Sequence, residues 1–463
     1  MVDEELQDIR KRLLKINDKI KSYSNLSKSP QFSNEKEIKP QRLRGDQEIP
    51  VDEMRAKLRA INEYIRARAM GRDVKPPVFL REELPPPPVE KLAFVMEEET
   101  VEEVGEEQEP VPVKEEETTT VVLPALSRGR NAAVRTGVGL DLGTAYIVAS
   151  REVEDKRVFV KNERNAFLSV RCDQSTKDLL TRLKIKYVAL QDKLYVLGGM
   201  ALELADIFGR ETQRSMNMGI LNPSEAESIP IIQLLVKNIL WEPREKGEVC
   251  CFSVPAKPLD RDQDTIYHRG VFEGILKNIG FKPLVIDEGY AVVLSEMEDQ
   301  DFTGIGISCG AGMVNICAAF KSVPVLSFSI TRGGDWIDKS AATVLGVPTT
   351  RVSTIKEHGM SIKIPANREE EAIAIYYRNY IHYLIENMAR VFGKSTDTPH
   401  FKEPADIVFA GGSSMVPGFI DVVQEEIKSV KFGFPVGNIL HAKEPFTSVV
   451  RGCLFNAING GSQ

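Results

Sequence analysis

The feature that most limits the fold of this chain is a strand pattern that occurs twice. TGVGLDL, TAYIVAS and KRVFVK, from Thr136 onward, read as three short strands joined by turns, and FTGIGIS, VNICAAF and VLSFSI repeat the triplet from Phe302. Further strands follow each triplet: GEVCCFSVP and FKPLVID after the first, ADIVFAGG after the second. Helical patterns cover 264–279 and 369–392. In the longer one Ile373, Tyr376, Tyr377, Tyr380, Leu384, Met388 and Val391 fall on or near one face. A strand triplet, then helix and strand, used twice, predicts a duplicated α/β domain. No short-period repeat is present.

Three glycine turns interrupt these strands. In GLDLGTAYIV, from Gly139 to Val148, a strand ends at Asp141 and a tight turn follows through Gly143 and Thr144. Glycine lets the backbone come close to phosphate oxygens, and backbone N–H groups and a Thr hydroxyl can donate to them. A carboxylate at the strand end can hold Mg²⁺, usually through water. ISCGAGMVNI, from Ile307 to Ile316, repeats the logic, with Gly310 and Gly312 bracketing the turn. IVFAGGSSMVPGF, from Ile407 to Phe419, runs an apolar strand into Gly411 and Gly412, and Pro417 is expected to begin a helix. Paired glycines there would let a flat ring lie against the backbone. Each turn alone also fits an ordinary Gly hairpin; the three in this order carry the argument.

Composition narrows the class. The 463 residues are 42% hydrophobic, enough for a real core, and 27% charged, with a net charge of −7 that argues against a general nucleic-acid binder. There is no run of apolar residues long enough for a bilayer-spanning helix. MVDEELQDIRKRLLK has no apolar h-region, so no secretory signal is expected. Cys172, Cys250, Cys251, Cys309, Cys317 and Cys453 show no metal-binding spacing and read as small buried residues in a reducing cytoplasm.

The first 135 residues have another character. Leu6, Ile9, Leu13, Ile16 and Ile20, and again Met54, Leu58, Ile61 and Ile65, form a/d seams on short helices. They are either helices packed on the main domain or a coiled-coil or partner-docking arm, with a membrane-surface helix less favoured. Residues 24–50 read as disordered. Pro85 to Pro88 predict a stiff polyproline segment, and Met96 to Glu117 contain eleven glutamates and one lysine, an acidic spacer or a tail for a basic partner. The expected organisation is an arm over 1–70, a linker over 71–135, and lobes over 136–302 and 303–463.

The order and separation of the three turns resemble the phosphate 1, phosphate 2 and adenosine motifs of the actin, heat-shock chaperone and sugar-kinase superfamily. FSVPAKPLDRDQ at 252–263, LVIDEGYAVVLSEM at 284–297 and EPFTSVVRGC at 444–453 are similar to its connecting segments. GLDLGTA, LGGMALELADIFGR and the GGD–x–x–D of SITRGGDWIDKSAATVLG resemble bacterial actins of the MreB type, whereas GGSSMVPGF is nearer eukaryotic actin. The resemblance spans 136–458 and marks a divergent member. It implies a two-lobed, duplicated ribonuclease-H-like fold with a Mg–ATP cleft between the lobes, preceded by a partly helical, largely disordered extension.

Residue by residue, the resemblance implies that Asp141 sits near the metal, and that Gly143, Thr144 and Ala145 contact the terminal phosphates. Gly310, Ala311 and Gly312 would cradle the phosphates from the other lobe. Gly411, Gly412, Ser413 and Met415 would line the nucleoside, with Lys356 beside adenine and ribose. Glu288 would position the attacking water. Three positions depart from the family pattern. Ser308 stands where an Asp usually begins phosphate 2, Met313 and Val314 replace a Thr pair, and Ser353 replaces the acidic residue three before Lys356. Backbone groups can still bind nucleotide, but rapid hydrolysis is put in doubt. Ile207 and Phe208 fall where some MreB proteins show an apolar loop to lipid, and burial in a helix is the expectation here.

The resemblance implies a cytoplasmic filament protein that polymerises with Mg–ATP, serving cell shape, segregation or organelle positioning. The alternative is a weakly hydrolysing or non-polymerising adaptor of the FtsA or PilM type, with a protein partner for residues 1–70 and a peripheral membrane contact. No sugar-facing base is identifiable, and the chain ends directly after the expected last helix. Neither a sugar kinase nor a chaperone is therefore expected.

Overall fold

The computed structural model describes residues 121–123 and 136–460, apart from 154–156, 191, 209, 222–226, 264 and 395–402. The heptad-like stretches, segment 24–50, the proline run and the acidic run lie outside the described residues. By its contacts the chain divides into Met1–Glu109 and Pro110–Gln463, and every described residue belongs to the second unit.

The first lobe contains β1 (Val121–Leu123) and a meander of β2 (Val138–Leu142), β3 (Tyr146–Glu152) and β4 (Val158–Arg164). The chain then builds a small separate sheet from β5 (Phe167–Arg171), β6 (Val188–Leu190) and β7 (Lys193–Leu197), with α1 (Gln174–Arg182) and α2 (Gly199–Ile207). It returns through a hairpin of β8 (Met216–Asn217) and β9 (Ile220–Leu221), then α3 (Ser228–Ile239), β10 (Val249–Val254), α4 (Ile266–Ile279) and β11 (Lys282–Asp287). The main sheet runs β1-β4-β3-β2-β10-β11, antiparallel through the meander and parallel from β2 to β11. Strand β2 is buried on both faces. Val138, Leu140 and Leu142 pack with Ile231, Leu235 and Phe272 under α3 and α4, so the strand needs apolar residues and cannot slip by one.

Helix α5 (Glu288–Glu296) leads into the second lobe and its meander β12 (Gly304–Cys309), β13 (Val314–Phe320) and β14 (Val323–Ile330). Then come α6 (Gly334–Leu345), α7 (Thr349–Glu357), α8 (Arg368–Lys394), β15 (Ala405–Ala410), α9 (Phe419–Ser429), β16 (Val436–His441) and α10 (Ser448–Gly460). The sheet order β14-β13-β12-β15-β16 has the scheme of the first lobe, β4-β3-β2-β10-β11. The duplication read from the strand triplets is therefore real, and β1 is an additional edge strand. On α8, Ile373, Tyr377, Tyr380, Leu384 and Met388 are buried in one core with Phe328, Phe409 and Phe419, while Tyr376 and Val391 pack at its margin.

Between the sheets lie α5 and α10. Helix α10 packs on β2 and β10, α5 packs on β12 and β13, and the two helices pack on each other. They share a core in which Cys251 and Ile286 from the first lobe meet Ala319, Val408 and Ala410 from the second.

Three expectations are corrected. Ile207 is 69% exposed and Phe208 39%, because Ile207 lies on the side of α2 away from the face that buries Ala201, Leu204 and Ala205, and Phe208 falls past the helix end. Cys172 is exposed just past the end of β5, whereas the other five cysteines are buried. Pro417 does not begin a helix. Gly412–Ser414 form a 3₁₀ turn, and α9 starts at Phe419 after Gly418, whose φ of 89° is left-handed.

Candidate functional site

The first and second glycine turns meet. Between β2 and β3, the Asn165 side chain donates to Gly143 O at 3.2 Å and the Asn165 backbone N–H donates to Ala145 O at 2.9 Å, fixing the turn. Thr144 is buried, and its Oγ1 accepts from Gly219 N at 3.1 Å. Between β12 and β13, Gly310 N donates to Met313 O at 3.0 Å. A Cβ on Gly312 would stand 2.3 Å from Thr144 Oγ1 and 2.4 Å from Gly219 N. Only glycine permits that approach. The third participant, the β8–β9 turn, is left-handed at Met218 (φ 49°) and Gly219 (φ 82°), as tight hairpins require. His268, a buried residue of α4, anchors this hairpin by accepting from Leu221 N at 3.2 Å through Nδ1.

Two buried carboxylates stand beside the turns. Ser253, near the end of β10, donates from Oγ to Asp141 Oδ1 at 2.8 Å and accepts from Leu142 N at 3.2 Å. Glu288 is the first residue of α5, directly after β11, and Ser308 Oγ donates to its Oε2 at 3.1 Å. Burial pushes Asp141 up to about 6, against the pull of the Ser253 hydrogen bond. Burial first, and then the charge of Asp141, push Glu288 up to about 8, while Ser308 and Asn315 favour its charged form. Asn315 holds its place by accepting from Ala256 N at 3.0 Å; its Nδ2 faces the carboxylate without a hydrogen bond of ordinary geometry. Two acids sharing one crevice are the oxygen donors that Mg²⁺ takes, and a cation's charge would offset the repulsion between them.

The third turn is tied to the second. Gly411 has φ 90°, and a Cβ there would lie 2.5 Å from Cys309 O. Gly412 faces open space, and Ser413 Oγ donates to Gly310 O at 3.1 Å. Met415 is half exposed. The start of α6 closes on the same turn, with Gly334 N donating to Gly310 O at 3.0 Å and Asp335 N to Ala311 O at 2.8 Å. Lys356, on α7, pairs with buried Asp338 Oδ1 at 2.6 Å and donates to Gly334 O at 3.3 Å. Ser353 Oγ donates to Asp338 Oδ2 at 2.7 Å. The acidic partner of Lys356 is therefore Asp338, the second acid of the GGD–x–x–D pattern, reached across from α6. Burial raises the Asp338 carboxyl and the Lys356 charge opposes that shift.

Thus Asp141, Thr144, Gly310, Gly312, Glu288, Ser308, Ser413 and Lys356 are linked through these turns. Sequence reasoning missed Ser253, Asn315, Asp338 and the Met218–Gly219 turn. Asn217 and Gly219 within SMNMGIL, flanked by Met216 and Ile220, were the available signal for the hairpin.

Among solved structures, the chain is similar to the MamK double-helical filament, with 20% identity over 69% of this chain and 98% of that one, at a TM-score of 0.52. It is also similar to MreB5 of Spiroplasma citri bound to AMPPNP, with 14% identity over 69% and 94% of the two chains, at 0.51. These likenesses establish an actin-like fold. No curated protein matches significantly. Residues 137–457 match the family described as volactin, and the chain belongs to that family.

Proposed function

We propose that this protein binds Mg–ATP between its lobes and polymerises into filaments in that state, hydrolysing the nucleotide slowly. The observation that carries this reading is the convergence of the two glycine turns, in which Gly312 packs against Thr144 and Gly219 with no room for a side chain. Turns of this kind offer backbone N–H groups to phosphate oxygens. The MamK relative is a filament and the MreB5 relative carries AMPPNP, which agrees with both halves of the proposal.

Phosphoryl transfer to water needs a placed water and donors to the developing charge. Glu288 holds and orients that water, and Ser308 fixes the carboxylate by its 3.1 Å hydrogen bond. Asp141 would hold Mg²⁺, which would supply positive charge to the phosphates. Ser308 adds no negative charge to hold the ion, and Met313 and Val314 offer no hydroxyl to phosphate. Slow turnover follows.

Sedimentation with Mg–ATP, with filaments seen by electron microscopy, tests assembly; a strictly monomeric species at high concentration would sink it. Phosphate release from Ser308→Asp tests the site. A rise of tenfold or more, on the order of the 1.4 kcal/mol an added charge can supply, is expected. Brisk release by the native protein with no gain from Asp would overturn slow hydrolysis. Ser308 and Met313 also favour a second reading, an ATP-binding adaptor that does not turn over. It predicts a protein partner for residues 1–70 whose binding is lost when they are deleted.

A further inference from the structure

We infer that two ion pairs crossing between the lobes, Arg164–Glu357 and Arg214–Asp335, are latches that set how long a nucleotide stays in the cleft. This rests on the nucleotide-binding reading above. Arg164 ends β4 in the first lobe, and its guanidinium lies 4.2 Å from the ring centre of Tyr146, the residue that follows the first phosphate turn. It donates from Nη1 to Glu357 Oε1 at 3.1 Å and from Nη2 to Oε2 at 2.7 Å, a two-pronged pair. Glu357 is the last residue of α7 in the second lobe and the neighbour of Lys356. Arg214 is held in the first lobe beside Gln213, which exchanges two backbone hydrogen bonds with Phe167. Its Nη1 donates to Asp335 Oδ1 at 2.8 Å and Oδ2 at 3.0 Å. Asp335 lies in the first turn of α6, and its N–H is bonded to Ala311 of the second phosphate turn.

The first pair therefore joins a strand end beside the first phosphate turn to a helix of the second lobe, and the second joins a first-lobe segment to the helix start that is bonded to the second phosphate turn. On that reading the phosphates lie along the two turns, and opening the lobes to release them breaks both pairs. Their side chains remain 22% to 49% exposed, so water and salt reach them and the latches can reopen. Neither arginine belongs to a glycine turn, and no motif in the sequence requires either.

The test is release of a fluorescent N-methylanthraniloyl ATP from the full chain, chased with excess ATP. Arg164→Glu and Glu357→Arg should each speed release about fivefold, the upper range for a part-exposed pair. The double swap R164E/E357R should return it to within about twofold of the native rate, which simple damage to the fold would not do. Raising salt from about 0.1 M to about 1 M should speed release from the native protein and leave an Arg164→Gln, Arg214→Gln variant nearly unchanged. Melting temperatures identify any variant that fails to fold, and the neutral Glu357→Gln then replaces it. Native release rates in the folded single variants, or a swapped pair as fast as the singles, would overturn the latch alone. A native protein that fails to bind the analogue overturns the nucleotide reading and the latch with it.

Discussion

Glu288 and Asp141 are two acids in one buried crevice, and their proton affinity has a consequence for the nucleotide-free protein. The Glu288 carboxyl is raised from 4.5 to about 8 on folding. Between those pH values the folded chain holds a proton that the unfolded chain has released, so stability falls as pH rises across that window. Glu288→Gln cannot titrate and should flatten this loss. His268 works in the opposite sense. Burial lowers it from 6.5 to about 3, so its contribution is lost as pH falls from the upper value towards the lower. That term is common to both proteins and cancels in the comparison. Denaturant unfolding at about pH 5 and about pH 8 should show the native protein losing more stability than the Gln variant, by roughly 1.4 kcal/mol for each pH unit of the shift that is realised. Equal losses would mean that Glu288 is charged in the fold at neutral pH.

Helix α4 illustrates what an element needs from its residues. Its apolar face, with Phe272, Ile275 and Leu276 buried beside His268, packs on the first sheet, and Gly280 ends it with φ 110°. Gly270 is not required by packing, since a Cβ there would meet nothing within 4 Å. Gly270→Ala should therefore stabilise the protein by about 0.5–1 kcal/mol, read as a higher denaturant midpoint at unchanged slope. A loss would reveal a contact made by that face in an assembly. Elements as strongly patterned as β2, β12 and α8 were legible in the sequence because burial on both faces, or along one helical stripe, forces a visible period. The small sheet was not. In β6, Val188 and Leu190 are only partly buried and Ala189 is exposed, and the strands of the β8–β9 hairpin have two residues each, too few to show a period. The site divides along the same line. Thr144, Gly310 and Gly312 announced themselves through local turn chemistry. Ser253 reaches Asp141 from 112 residues away, and Asp338 reaches Ser353 across two helices, so no local pattern encodes either contact.

In the whole molecule, the two sheets are joined through α5 and α10, and also through the segment after β10, whose Lys257 and Leu259 exchange backbone hydrogen bonds with Ser329 of β14; the closeness of the two helices depends on one missing side chain. A Cβ on Gly452 would lie 1.9 Å from Ala291 O, and the obstacle is backbone, which cannot rotate aside. Gly452→Ala must therefore push α10 off α5 or off the first sheet, where α10 packs on β2 and β10. Overpacking of this kind costs about 1–3 kcal/mol. Where the cost appears distinguishes two views of the molecule. If the shared core around Cys251, Val292, Val408 and Cys453 makes both lobes one cooperative unit, the variant unfolds in a single transition with a lower midpoint and the native slope. If the helices only tether independent lobes, the transition splits or its slope drops. We expect the single shifted transition, because Val292 of α5 and Cys453 of α10 lie in one core with Ile286 of the first sheet and Val408 of the second, so neither lobe can lose this core alone. The same argument bears on the cleft. A displaced α10 changes the angle at which the lobes meet, so Gly452→Ala should also shorten nucleotide residence while leaving Arg164, Glu357, Arg214 and Asp335 chemically intact. Faster release that no longer responds to salt would mean that closure from the helix side must be in place before the ion pairs can form.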